Sequence, residues 1–427
     1  MRLRHRWLGP ALALFAAPAT MLARAEPLAG VVRDALKSHP ALAAATAGAE
    51  SGSFLVEQAR AARRPRFGLV ADPGRRYDAA GGEIGDIGLR GSLLLYDGGR
   101  TRDSIAREED RAAVAGANLR LTADEVAARA CEIYLEWLRQ ERLAELAAGN
   151  VATHQSLYER VAEIASFDRG RGSDLLQVGA RLEQARVTLA ARRGAAREAR
   201  AVLVQWVGRD VLGVEAPRGP GAFLPATPAD AAPLLERHPA VLAADAEARA
   251  AQSLAQAAGT WNRPRVELLA SAGSPTDLAG ERRYFDDLSV RVAASWTPFD
   301  GGDGRAAWHA AQRSATQARE QARAARLELS SRLASLWSER AAREERLRAQ
   351  ERVVQSAAAV RDAYWQQFTI GRRSIVDLLN AEQEAFLARY SAEDERLGLV
   401  QQEYRMLAAL GLLTNWLGVE PAPRGAP

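Results

Sequence analysis

Two short charged clusters stand at glycine breaks in otherwise helix-forming sequence. Ser173-Asp174 follows Gly170, and Arg373-Ser374 with Asp377 follows Gly371. A serine hydroxyl with a carboxylate at this spacing can satisfy the free backbone N–H groups that open a helix. An arginine beside a carboxylate can also make bidentate hydrogen bonds between neighbours, and these break when helices are pulled apart. Both chemistries are compatible with the residues. No other chemistry has its residues in place. There is no nucleophile elbow and no phosphate loop, and the five histidines are scattered. His154 has no second histidine or cysteine at metal spacing and reads as a packed polar residue. Asp300-Gly-Gly-Asp-Gly304 superficially resembles a calcium loop, but its ligand spacing is wrong, so it reads as a turn. Cys131 is the sole cysteine, which excludes an intrachain disulfide. No catalytic residue, cofactor or metal is expected, and the chain reads as a non-enzyme.

The elements that carry the two clusters are very long. From Asp103 to about Ala165 there is no proline. A 4-3 spacing runs through Val126, Ala130, Ile133, Trp137, Gln140, Ala144, Ala147, Val151, His154, Tyr158, Val161 and Ala165, which predicts a coiled-coil seam. At 1.5 Å per residue, ~65 residues span roughly 100 Å, the length of a rod rather than of a compact domain. A second proline-free stretch runs from Arg305 to about Gln367.

Ahead of each rod stand two segments with a period of two. Ile87, Leu89, Gly91, Leu93 and Leu95 share one face, against Gly88, Arg90, Ser92, Leu94 and Tyr96. Leu288, Val290, Val292, Ala294 and Trp296 repeat the pattern. Shorter partners begin at Phe67 and Val266, with polar hairpin loops expected over 72–86 and 273–286. Strands of about ten residues can cross a bilayer at a tilt. Soluble sandwiches alternate too, but four strands are too few for one of this size. Four strands also cannot close a membrane barrel, because open edges in lipid leave backbone groups unpaired. Two copies would pool eight strands, whose interior the side chains fill, whereas three pool twelve and leave room for water. The pattern therefore predicts a mostly α chain with a small β part, closing a twelve-stranded barrel as a homotrimer.

The landmarks occur twice in the same order. Ser38-His39-Pro40-Ala41 matches Arg237-His238-Pro239-Ala240, and Tyr96-Asp97-Gly98-Gly99 matches Phe299-Asp300-Gly301-Gly302. This predicts two structural repeats, 26–210 and 229–418, joined by a Pro- and Gly-rich linker over 211–228 and followed by a disordered tail over 419–427. Residues 1–25 read as a cleaved export signal: Arg2, Arg4 and Arg6 precede an apolar run, and Ala23-Arg24-Ala25 supplies the small residues of a cleavage site. Past residue 25 no run approaches the roughly 18 apolar residues of a membrane helix. A net charge of +4 gives no reason to expect a nucleic-acid partner.

These landmarks resemble the TolC family of outer-membrane channel-tunnels. The matching residues are the duplicated Arg-Pro pairs, Leu95-Tyr96-Asp97-Gly98-Gly99-Arg100, Trp296-Thr297-Pro298-Phe299-Asp300-Gly301-Gly302, the block 368–379 and the closing 404–411. The resemblance implies a homotrimer in the outer membrane, with an α-helical tunnel reaching into the periplasm. It implies docking onto a periplasmic membrane-fusion (adaptor) protein and an inner-membrane ABC transporter. The last two blocks look most like the type I secretion branch, which exports large adhesins. The same architecture serving a proton-driven multidrug efflux pump stays open, as does a periplasmic coiled-coil adaptor or scaffold. By resemblance Asp174, Arg373 and Asp377 are gate residues, and Gly170 and Gly371 mark the hairpin tips that contact the adaptor. Ile87, Leu89, Leu93, Leu95, Leu288, Val290, Val292 and Trp296 are expected to face lipid. Asn380 and Phe368 depart from the family's aspartate and tyrosine, which implies a gate less tightly latched or less cation-selective.

Overall fold

The computed structural model describes residues 25–76, 82–167, 171–277 and 287–419. The expected leader through residue 24, Gly170 and the tail from residue 420 lie outside the described residues. The chain runs α1 (Leu28–Ser38), α2 (Pro40–Ala61), β1 (Arg66–Arg76), β2 (Gly82–Tyr96), α3 (Arg100–Phe167) and α4 (Gly172–Val207). It continues α5 (Pro228–Leu235), α6 (Pro239–Ala258), β3 (Arg265–Asp277), β4 (Asp287–Ser295), α7 (Asp303–Thr369), α8 (Ile375–Ala409) and α9 (Leu413–Trp416).

The recurring sequence landmarks are helix starts. His39 and His238 each cap the following helix, their Nδ1 atoms accepting from Ala41 N (3.3 Å) and Ala240 N (3.2 Å). Pro40 and Pro239 take the first helical position, where a missing N–H costs nothing. Burial, with Arg332 nearby, lowers the His238 pKa and keeps the ring in the neutral form that can accept. In the two Asp-Gly-Gly turns the aspartate opens the long helix. Asp97 accepts from Gly99 N (3.0 Å) and Thr101 N (2.7 Å), and Asp300 from Gly302 N (3.0 Å) and Gly304 N (2.8 Å).

Gly98 and Gly301 both sit at positive φ, +70° and +74°. Only Gly98 is crowded: a Cβ there would lie 2.4 Å from Arg263 Cδ, whereas Gly301 faces open space. Each alanine substitution therefore carries the left-handed penalty of about 1–2 kcal/mol, and Gly98→Ala must also displace Arg263. Thermal melts followed by helical circular dichroism should show Gly98→Ala falling further than Gly301→Ala. Equal losses would mean that the Arg263 contact contributes nothing.

α3 and α7 have 68 and 67 residues, so each is about 100 Å long. Along the expected seam Val126, Ala130, Ile133, Trp137, Gln140, Ala144, Ala147, His154 and Val161 are buried, and Val151, Tyr158 and Ala165 half-buried. α3 packs on α2 and α6 toward the sheet and on α4 along its other half, while α7 packs on α6 and α8. The main core gathers where α1, α3, α4, α8 and α9 meet, around Tyr134, Leu203, Met406, Leu407 and Leu413. The expected linker packs against this core. Val211 and Leu224 are buried, Tyr134 Oη accepts from Glu215 N (2.8 Å), and Tyr404 Oη donates to Arg218 O (3.0 Å). Val419, placed at the start of the tail by sequence, is also buried.

Asp124 of α3 lies in this region, with Thr414 Oγ1 donating to Oδ1 at 3.1 Å. Burial pushes its carboxyl from the ordinary 3.8 up to about 6. The folded state therefore holds the proton more tightly than the unfolded chain. The resulting stability is complete below about pH 4 and declines as pH rises through about 6. Asp124→Asn should melt higher than wild type at pH 7 and remove this slope, as read by thermal unfolding across that range. An unchanged slope would assign it to other groups.

The four strands form one antiparallel sheet in the order β1-β2-β3-β4. The two hairpins are joined through β2 and β3. The ladders extend beyond the expected strand ends, to Arg76↔Gly82 in the first hairpin and Gly273↔Asp287 in the second. Local Gly, Pro and Asp content shortened the expectation, but strand propensity yields to ladder pairing.

Candidate functional site

Two regions carry the candidate residues: the hairpin ends of α3–α4 and α7–α8, and the faces of the sheet. At the hairpin ends Leu157, Val161, Val178, Ile375, Leu378 and Leu379 form a second apolar cluster holding both hairpins together. Arg160 lies over the Trp365 ring, 5.1 Å from its centroid, across the same junction. α7 stops at Thr369, and Gly371 turns the chain at φ +74°. Ser374 then caps α8, its Oγ accepting from Asp377 N at 3.2 Å. Only this half of the expected capping box forms.

Arg373 bridges the two arms of the second hairpin. Its guanidinium lies 3.9 Å from the centroid of the Tyr364 ring on α7, and its Nη1 is 3.9 Å from Asp377 Oδ2 on α8. Its Nε is buried without a hydrogen-bond partner. Sequence reasoning did not single out Tyr364, although it lies one helical turn before Phe368 and so shares its face. Both rings pack against the apolar cluster at the hairpin ends.

Asp174 behaves differently from the capping expectation. α4 starts at Gly172, no side chain caps it, and Asp174 sits in the first turn. Within the chain its partner is Arg171, with Nη1 at 3.3 Å from Oδ2. Arg373 and Asp174, both expected at the gate, are not paired with each other within the chain: Arg373 approaches Asp377 and Asp174 meets Arg171. The missed signal was the i, i+3 spacing of Arg171 and Asp174, which places them on one helix face. Asn380 takes a long contact from Arg181 Nη2, 3.4 Å. His154 is buried nearby, and burial followed by the Arg181 charge lowers its pKa, consistent with a packed neutral ring. Cys131 is buried, and burial raises its thiol pKa.

In the sheet, register decides the faces. The rows Phe67–Gly91–Ala270–Val290 and Leu69–Leu89–Ala272–Leu288 run straight across all four strands. Leu93, Leu268 and Val292 make a third row, and Ala71 stands opposite Ile87. These rows share one face, and it is exposed in the single chain: Leu69 and Leu288 each show 76% of their surface, and Val290 65%. The opposite face carries Arg90, Ser92, Glu267, Ser271, Ser289 and Arg291, with Ser271 Oγ and Ser289 Oγ 2.7 Å apart. A register shift between Leu94 and Tyr96 takes Leu95 out of the ladder. Tyr96, placed on the polar face by simple alternation, thereby stands opposite Val266 on the apolar side. Tyr96, Trp296 and Phe299 are exposed together at the helix end of the sheet, and Trp296 Nε1 donates to Asn262 O at 2.9 Å.

An exposed apolar sheet face on a chain of hundred-ångström helices matches one known protein family. The family model described as "Outer membrane efflux protein" matches residues 31–209 and again 232–412. The chain belongs to the outer membrane efflux protein family. A curated relative, the outer membrane efflux protein BepC of Brucella suis biovar 1 (strain 1330), is 26% identical over 410 residues, covering 94% of this chain and 89% of the relative. Among solved structures the fold resembles CusC, with a TM-score of 0.81 at 17% identity, covering 94% of this chain and 99% of that one. It also resembles VceC of Vibrio cholerae, with a TM-score of 0.79 at 19% identity, covering 90% and 96%. The family is one of TolC-like channel-tunnels, not enzymes. Its members span the outer membrane and extend into the periplasm, which is this chain's location. They act as homotrimers with periplasmic adaptors and inner-membrane transporters.

Proposed function

We propose that this chain is one subunit of a homotrimeric exit duct whose three sheets close a twelve-stranded barrel, and whose cargo is unfolded protein delivered by type I secretion. The observation that carries the duct is the set of apolar rows continuous across four strands whose outer edges, β1 and β4, are unpaired within the chain. An open edge in lipid is untenable, so β4 of one copy pairs with β1 of the next. The apolar face, including Leu89, Leu93, Leu288, Val290 and Val292, then meets lipid and the polar face meets water; the side chain of Ile87 lies outside the described residues. Tyr96, Trp296 and Phe299 take the interfacial position favoured by aromatic rings in such barrels. The internal duplication gives each subunit two hairpins and two helix pairs of the same plan.

The hairpin ends form the periplasmic aperture. Arg373 holds the α7 and α8 arms together through Tyr364 and Asp377. Asp377 borders the opening, and an adaptor at the tips marked by Gly170 and Gly371 would spread the arms. Asp174 is engaged by Arg171, so it contributes less to the latch than Arg373.

Secretion rests on the resemblance of residues 368–379 and 404–411 to that branch, with an ABC transporter as the inner-membrane partner. The efflux wording in the relative's name favours a second reading, drug export with a proton-driven pump. Deleting the gene and comparing secreted proteins with drug sensitivity separates the two. Loss of one large secreted protein with unchanged drug tolerance supports secretion, and the converse replaces it with efflux.

A further inference from the structure

The two repeats place the same helix in different company. The interval from His39 to Arg64 equals that from His238 to Arg263, so α2 and α6 align residue by residue without a gap. α6 lies against two long helices, α3 and α7, whereas α2 packs along α3 and touches α1. One helix face is buried in both repeats: Leu42 and Val56 on α2, and their counterparts Val241 and Ala255 on α6. A second face is buried in only one. Ala246, Ala250, Ser253 and Ala257 of α6 are buried, but their counterparts Ala47, Ser51, Phe54 and Gln58 are exposed, Phe54 at 72%. Helical spacing puts these four on one side of α2, where they line an open groove with Glu50 and Leu55.

The ion pair that crosses from α6 to α3 has a counterpart with its signs reversed. Arg249 Nε lies 2.8 Å from Asp110 Oδ1. In the first repeat the position of Arg249 is held by Glu50. The Asp-Gly-Gly turns align the starts of α3 and α7, and the position of Asp110 is then held on α7 by Arg313. Glu50 and Arg313 are both exposed, and neither makes an ion pair among the described residues. On the same helices Asp103 and Ala117 of α3 are buried, while their counterparts Ala306 and Glu320 on α7 are exposed. Each chain therefore keeps one free stripe on α2 and one on α7, with opposite charges at matching positions.

We propose that α2 of one copy packs its free stripe against α7 of the next, with Glu50 pairing with Arg313, and that the reversed sign of this pair sorts the repeats as the ring assembles. The contact rests on the duct reading and continues its seam beyond the sheet. α2 precedes β1 and α7 follows β4, so the two copies that join β4 to β1 also meet here. Different surfaces face each other on the two copies, and such head-to-tail contacts can close rings. Each α2 then gains a second long neighbour, as α6 already has. Charge decides which repeats can stand side by side. A first repeat beside another copy's first repeat would set Glu50 against Asp110, and a second beside a second would set Arg249 against Arg313. Both are like-charge contacts, which penalise the wrong partner. Only strict alternation of the repeats brings opposite charges together at every joint.

The test uses the full-length protein purified in detergent, in two arms. In the first, the double variant Glu50→Cys, Arg313→Cys is treated with a short bis-maleimide and run on denaturing gels. Covalent bands of two and three chains are expected, while each single-cysteine variant stays a single chain because Cys131 is buried. In the second, Glu50→Arg and Arg313→Glu are heated before electrophoresis. Each should lose the three-chain band at a lower temperature than wild type. Combining them should restore it, because opposite charges face each other again, and that rescue separates charge pairing from a folding defect. Trimers that resist linking between chains overturn the contact. Single variants as heat-resistant as wild type, or a double variant no better than the worse single one, overturn the charge pairing. Each of these results leaves the duct standing. Wild-type protein that stays a single dissolved chain without detergent removes the duct and the contact together.

Discussion

Arg373→Ala raises the single-channel conductance of this protein severalfold in planar bilayers. Arg373 joins the ends of α7 and α8, since its guanidinium covers the Tyr364 ring at 3.9 Å and approaches Asp377 at 3.9 Å. Neither contact is strong. A cation–π pair is worth about 0.5–1 kcal/mol at an exposed site, and 3.9 Å is beyond hydrogen-bond range for the Asp377 approach. Their effect lies in where they act, because they join two helix ends beside a glycine turn, next to the apolar cluster that Tyr364, Trp365 and Phe368 of α7 share with Ile375 and Leu378 of α8. Folding should be little disturbed: the Arg373 Nε already lacks a partner, and the Leu157–Ile375–Leu378 cluster remains intact. Arg373→Lys keeps the charge but loses the planar stack and should fall between wild type and alanine. Asp174→Asn should change conductance less than Arg373→Ala, since Asp174 is held by Arg171 within its own hairpin. Equal conductance in wild type and Arg373→Ala would remove the latch.

Val290→Arg abolishes stable membrane assembly, whereas Ser289→Arg leaves it intact. The two residues are adjacent on β4 and therefore point to opposite faces. Val290 lies in the Phe67–Gly91–Ala270 row. Arginine on the lipid face of such a barrel costs about 2–4 kcal/mol near the bilayer midplane, and assembly into a trimer incurs it in every subunit. Ser289 faces water in a row with Arg90 and Ser271, so a further arginine there loses only the hydroxyl contact to Ser271. Membrane fractionation and heat-modifiable migration on gels read both variants side by side. Equal tolerance of the two substitutions would mean that the apolar rows do not meet lipid.

The sequence made these faces legible because alternation is a local signal: successive strand residues point to opposite faces whatever the strand pairs with. Leu288, Val290 and Val292 needed no partner strand to be assigned to one face. The bulge at Leu95 was invisible for the opposite reason. It is a property of pairing with Val266 in a strand some 170 residues away, and the local pattern of Leu93, Leu95 and Tyr96 carries no trace of it. The seam of α3 was equally legible, since burial at Val126, Ile133, Trp137 and His154 follows from 4-3 spacing alone. The hairpin ends were harder. The Ser374 cap could be read from the residues, but whether Asp174 meets Arg171 or another arginine depends on the tip conformation. Tyr364 was missed because its role is to lie under a side chain nine residues later, across a turn. The anchoring of 211–228 was hidden too, because Tyr134 and Tyr404 reach that segment through tertiary contacts its Pro- and Gly-rich composition does not foretell.

The most direct measurement is the native mass of the full-length protein purified from outer membranes in detergent, repeated after the detergent is withdrawn. Three copies in one complex that precipitates without detergent is the expected result, because only pooled sheets bury the free edges of β1 and β4. A single chain that stays dissolved and folded without detergent would contradict the account at its root.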